Sequence, residues 1–141
     1  MQESLLVQGA DIISLFCRLT IHAKKELPLR SSEIGLLIYT VKETEPVTPL
    51  KAADYFKVSK PMIATMVKRL VAAGYLEKKP STEDKRSYIL QPTAAATQLT
   101  ETVYDEYFKD MQLLLNSLGT EKFKELLALL EEANAALLQN K

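Results

Sequence analysis

The sequence predicts a mainly α fold that carries one small β-hairpin. Three observations predict it. Apolar residues recur at helical spacing through both ends of the chain, two short helices joined by a brief turn occupy its middle, and directly after them the period shortens around a polar, turn-forming stretch. The length, 141 residues, suits one compact domain. A composition of 47% apolar and 26% charged residues excludes collagen-like, low-complexity and disordered chains. No apolar run approaches the about 20 residues that span a bilayer, so no membrane partner is expected. Met1 to Asp11 has no basic region ahead of a long apolar stretch, so no secretory leader is expected either. The single cysteine, Cys17, excludes an intramolecular disulfide and points to the cytoplasm. One histidine and one cysteine do not build a structural zinc site from the usual ligands, and no metal or cofactor is expected.

The elements follow in order. Leu5 to Glu26 reads as a helix, with Leu5, Leu6, Ile12, Ile13, Leu15, Phe16 and Leu19 on a broad apolar face. Pro28 punctuates the chain. Ser31 or Ser32 is expected to cap a second helix whose first turn holds Glu33 and whose buried stripe is Ile34, Leu37, Ile38 and Val41, ended by Glu45-Pro46. Thr48 and Pro49 open a short third helix, with Leu50, Ala53 and Phe56 expected inward. After Lys57-Val58, Ser59 caps a fourth helix, Lys60 to Ala73, and Gly74 stands where a left-handed residue is wanted. Two short helices so joined make a helix-turn-helix candidate.

Tyr75 to Lys79 and Ser87 to Leu90 then read as strands around Pro80–Arg86, a hairpin with a charged tip. Pro92 is expected to open a long helix through Asn116, with Leu99, Val103, Tyr107, Met111, Leu114 and Leu115 recurring along it. Gly119 stops it and Thr120 caps a last helix, Glu121 to Leu138, whose apolar residues are Phe123, Leu126, Leu127, Leu130, Ala133, Leu137 and Leu138.

Net charge is zero, yet unevenly distributed. Thr48 to Pro92 holds nine basic residues against four acidic ones, a net +5, while the rest holds nine against fourteen, a net −5. A basic middle between acidic flanks suits one surface that meets a polyanion, although a solvated charge mosaic also fits. An enzyme is not expected: there is no Gly-rich phosphate loop, Gly-x-Ser-x-Gly or His-Glu-x-x-His, and no catalytic residue is assigned, although chemistry by carboxylates alone stays open.

At the hairpin the pattern becomes specific. Asp84-Lys85-Arg86-Ser87-Tyr88-Ile89-Leu90 resembles the wing motif of the MarR family of transcriptional regulators. Val58 to Leu70, continuing to Gly74-Tyr75-Leu76, is similar to that family's recognition helix and the strand after it. The resemblance implies a winged helix-turn-helix lobe, residues 31–91, within a single domain of residues 1–141, whose N- and C-terminal helices, 1–27 and 92–141, interlock in a homodimer. It implies a transcriptional regulator, with repression the expected sign, that binds a palindromic operator in double-stranded DNA. The apolar faces of the terminal helices agree with a partner helix, though packing within one chain also accommodates them.

Contacts follow residue by residue. Ile63, Val67 and Leu70, with Met66, face the core, which leaves Lys60, Pro61, Met62, Ala64, Thr65 and Lys68 outside. Lys60 and Lys68 suit phosphates or bases, and Ser59 at the positive helix end suits a phosphate. Thr65 suits a base or a thymine methyl, and Met62 and Ala64 suit thymine methyls. Family members more often carry Thr or Ser at the position of Met62, so direct readout is expected to be weak here. In the wing, the resemblance implies that Lys85 or Arg86 enters the minor groove while Asp84 fixes the tip, with Lys78 and Lys79 beside phosphates.

The resemblance also implies a releasing ligand, a small aromatic or phenolic acid bound between the dimer interface and the lobe. Arg18, His22 and Tyr39, with Arg30, are the candidates, since a cation beside apolar walls suits an aromatic carboxylate. The plainer reading leaves Arg18 in solvent and His22 at a surface or an interface. One branch of the family senses hydroperoxides through a first-helix cysteine. Leu15 to Leu19 does not closely match that branch, and Cys17 is expected buried and inert. The rival reading is a winged helix that binds protein and no DNA. Gln91-Pro92-Thr93 departs from the family's Leu-Thr opening of the next helix, and Gln91 is a poor cap there.

Overall fold

The structure, a computed structural model, describes residues 2–22, 28–82 and 86–140. In chain order it forms α1 (Gln2–His22), α2 (Ser31–Lys42), α3 (Pro49–Phe56), α4 (Lys60–Ala72), β1 (Leu76–Pro80), β2 (Tyr88–Pro92), α5 (Ala94–Tyr107), α6 (Lys109–Leu118) and α7 (Thr120–Gln139). The predicted class is met, mostly helix with one antiparallel hairpin. Two compact units divide the chain: Met1–Ala23 with Phe108–Lys141, and Lys24–Tyr107. α5 falls wholly within the second unit.

That second unit holds the buried core. Leu36 and Leu37 of α2, Val47, Ala52 and Ala53 of α3, Ile63, Val67 and Leu70 of α4, Leu76 of β1, Leu90 of β2 and Ala96 of α5 pack together. Each large aliphatic side chain so buried contributes about 1.5–3 kcal/mol.

Local chemistry sets the boundaries. α2 is opened not by a serine but by Arg30 in the cap position, whose backbone N–H donates to the Glu33 carboxylate at 3.2 Å. It ends at Lys42, ahead of Glu45-Pro46, where the Glu43 N–H closes on the Tyr39 carbonyl. Thr48 caps α3 as expected, its hydroxyl accepting from the Lys51 N–H at 3.2 Å. Leu50, expected inward, is 61% exposed, and Ala52 is buried with Ala53 instead. Ser59 caps α4, accepting from the Met62 N–H at 3.2 Å, and Gly74 adopts φ +87°, the left-handed conformation that a glycine accepts without steric cost.

The hairpin pairs Leu76 with Pro92 through Pro80 with Tyr88, so Pro92 ends a strand and opens no helix. The Leu90 N–H also donates to the Val47 carbonyl at 2.8 Å, tying the hairpin to the loop before α3. Thr93, not Gln91, starts α5: its hydroxyl accepts from the Ala96 N–H at 3.3 Å and donates to the Gly74 carbonyl at 2.7 Å. One side chain thus anchors both the turn after α4 and the helix after the wing.

The long helix expected from Pro92 to Asn116 is two helices, parted at Phe108, whose ψ of 7° interrupts the helical path. Beside the break, Tyr107 hydrogen-bonds Ser31. Its hydroxyl lies 2.8 Å from where a Cβ on Gly35 would stand, so only glycine lets Tyr107 close on α2. Thr120, expected as a cap, is the first helical residue of α7, after Gly119 at φ +86°. In the first unit no residue of α6 or α7 is buried, and Leu5, Leu6, Ile12, Ile13, Leu15 and Leu19 of α1 are all exposed. Cys17, expected buried, is exposed too, because its helix buries none of the side chains described.

Candidate nucleic-acid interface

α4 divides by face as its sequence predicts. Ile63, Val67 and Leu70 are buried and Met66 is half-buried. Ser59, Lys60, Pro61, Met62, Ala64, Thr65 and Lys68 are exposed, with Met62 at 52%. Among the described residues neither Lys60 nor Lys68 forms an ion pair, so both ammonium groups face solvent. The helix start is less open to an anion than expected. Ser59 caps the Met62 N–H and Pro61 has no N–H, so two of the usual free donors are gone. Thr65 donates its hydroxyl to the Pro61 carbonyl at 3.1 Å and turns its donor back onto its own helix.

The hairpin carries the second set. Lys79 pairs with Glu77 at 3.0 Å, so its charge is partly offset where a bare phosphate contact was expected. Both partners are exposed, and such a pair contributes about 0–1 kcal/mol, little enough to yield to a phosphate. The Lys78 ammonium sits 4.8 Å from the centre of the Tyr88 ring. Arg86 is exposed, while Asp84 and Lys85 lie outside the described residues.

Sequence reasoning counted Arg69 among the basic residues but assigned it no role. It reaches across from α4 to Glu33 at 3.6 Å, its own side chain 48% exposed and that of Glu33 only 6%. Glu33 therefore joins the α2 start to α4: one oxygen takes the Arg30 N–H and the other faces the guanidinium. Glu33 was legible as a first-turn acid, but nothing in its spacing showed that α4 lies against that turn.

The effector candidates are not drawn together by any contact described. Arg18 is exposed on α1 and donates to the Ser14 hydroxyl at 2.9 Å. The side chain of His22 lies outside the described residues. Tyr39 packs in an aromatic trio, 4.2 Å from Tyr55 and 5.5 Å from Phe56 between ring centres, and burial with nearby Glu43 raises its pKa above 10.0. A cavity of about 290 Å³ between α2 and α5 was not foreseen; it is lined by Ile38, Val41, Lys42, Glu101, Tyr104 and others, with the Lys42 ammonium 5.1 Å from the Tyr104 ring centre. Among the described residues no helix is long and apolar enough to cross a membrane, and no three His, Cys, Asp or Glu side chains cluster as metal ligands do.

The family model described as MarR family matches residues 35–88, the stretch from α2 through the first residue of β2. No curated protein matches the chain. Solved structures do. A MarR/EmrR family transcriptional regulator from Acinetobacter sp. ADP1 is 20% identical, with 94% of this chain and 95% of that one covered at a TM-score of 0.75. A mutant MarR from E. coli complexed with operator DNA is 18% identical, covering 91% and 94% at a TM-score of 0.73. The S. aureus MepR-DNA complex is 13% identical, covering 90% and 96% at a TM-score of 0.79. At these identities the likeness is one of fold.

Proposed function

We propose that this chain, whose residues 35–88 carry the MarR family match, is a transcriptional regulator that binds double-stranded DNA as a homodimer. The observation that carries the reading is the exposed face of α4, with an ammonium group at each end, set beside a cationic hairpin in one winged-helix unit. A helix so presented fits the major groove, while a basic side chain at a hairpin tip fits the narrow, strongly negative minor groove. Two similar folds, those of E. coli MarR and S. aureus MepR, are known with DNA.

The finer readings are these. Ser59, Lys60, Lys68, Lys78 and Lys79 hold phosphates, Pro61, Met62, Ala64 and Thr65 face base edges, and Asp84, Lys85 and Arg86 form the tip. The exposed leucines and isoleucines of α1, α6 and α7 supply the dimer interface. The regulator represses, by occupying its operator. A small aromatic or phenolic acid releases it; in the cavity between α2 and α5, Ile38, Val41 and Lys42 suit such an acid, Glu101 and Asp105 also line it, and among the described residues Arg18 and Tyr39 do not.

The test is selection of bound fragments from a genomic library by the purified protein at two salt concentrations. Expected is a palindromic site with half-sites about one helical turn apart, roughly 10 base pairs centre to centre. No enriched sequence at either salt would favour a protein partner instead.

A further inference from the structure

We infer that α4 reads its half-site chiefly through thymine C5-methyl groups, with Pro61, Met62, Ala64 and Thr65 as one apolar reading surface. This rests on α4 being the groove helix and names the base chemistry it takes. In the major groove guanine is met by Arg or Lys, adenine by Asn or Gln, cytosine by Asp or Glu, and thymine by an apolar contact to its methyl. Between Pro61 and Thr65 the exposed face holds none of the first three sets.

The structure removes the remaining donors. Thr65 carries the one hydroxyl there, and its hydrogen goes to the Pro61 carbonyl at 3.1 Å. The Met62 N–H is held by Ser59 at 3.2 Å, and Pro61 has none to offer. The exposed side chains there are a prolyl ring, a thioether chain, the Ala64 methyl and Thr65, whose hydroxyl is left as an acceptor only. Met62 is unbranched and adapts to an irregular methyl-lined floor. A guanine opposite this surface would leave its O6 and N7 acceptors desolvated without a donor, which disfavours G·C at those steps. Lys60 and Lys68 stand eight residues apart, about 12 Å along a helix. The two ammonium groups therefore bracket the apolar surface along the helix axis, where each suits a backbone phosphate.

The test uses the intact protein and synthetic duplexes of the selected site. Each half-site thymine is replaced singly by uracil, which lacks only the methyl, and then by 5-bromouracil, which restores its bulk. At one to three positions per half-site uracil is expected to weaken binding about threefold to tenfold, and 5-bromouracil to restore it. Met62→Ala is expected to bring the thymine-to-uracil ratio at one of these positions close to one. Met62 is exposed, so this variant folds, and its thermal transition checks that it does. Uracil duplexes that bind as tightly as thymine duplexes at every position would overturn the inference, as would an undiminished ratio in both Met62→Ala and Thr65→Ser. Failure to bind any duplex would instead overturn the DNA-binding reading on which it rests.

Discussion

Tyr107 and Gly35 meet at a point where one methyl group has consequences. The Tyr107 hydroxyl occupies the space a Cβ on Gly35 would need, at 2.8 Å, and the ring is half-buried and hydrogen-bonded to Ser31. Gly35→Ala is expected to destabilise the fold by about 1–3 kcal/mol, seen as a lowered denaturant midpoint, because overpacking displaces a bonded ring. Burial holds the Tyr107 pKa above its ordinary 10.0. A folded-state value above the unfolded one stabilises the fold fully below that ordinary value and is lost as pH rises through the folded one. Stability is therefore expected to fall above about pH 10, and Tyr107→Phe to lose part of that dependence, in unfolding curves taken at several pH values. Lys57 is a second such residue: it sits at φ +57° in the turn between α3 and α4, where a side chain is strained. Lys57→Gly is expected to raise stability by about 0.5–1 kcal/mol; an unchanged or lowered midpoint would show that its ion pair with Asp54 matters more.

Elements were legible where their signals were local. Thr48-Pro49, Ser59 and Gly74 punctuate α3 and α4 through bonds to neighbours within three residues or through one backbone angle. Boundaries set by distant partners were not legible. Pro92 reads as a helix opener, yet it pairs with Leu76, sixteen positions back. The break at Phe108 shows no proline or glycine; it coincides with Tyr107 closing on α2, which no spacing reveals. Leu50 was misplaced because a helix of eight residues has too few turns to define an apolar face. Thr93 was missed as the joint between wing and α5. Thr93→Ala removes a cap and a 2.7 Å bond to Gly74, and should cost about 1–2 kcal/mol of stability. For the hairpin, Arg86→Ala is expected to weaken operator affinity about tenfold while the dimer stays intact. Unaltered affinity would remove Arg86 from the interface.

For the whole molecule, the terminal helices and the charge distribution carry the two large-scale claims. Leu6 of α1 and Leu129 of α7 are 73% and 64% exposed, and the proposed homodimer would cover them. On the proposed homodimer, replacing both by Lys is expected to leave a monomer in sedimentation while the buried core of the second unit stays folded. A dimer that survives would place the interface elsewhere. The basic stretch from Thr48 to Pro92 was evident from composition; in the structure Lys51, Lys57 and Arg69 are taken up by ion pairs, while Lys60 and Lys68 stand on the outer face of α4 and Lys78, Lys79 and Arg86 on the hairpin. The most direct measurement is the affinity of the intact protein for its selected site as a function of salt. Expected is a linear fall of log affinity with log salt, about 10³-fold or more between roughly 50 and 200 mM, with a slope that becomes shallower in Lys68→Ala. An affinity that barely changes across that range, or a slope the substitution leaves untouched, would contradict binding through these cations.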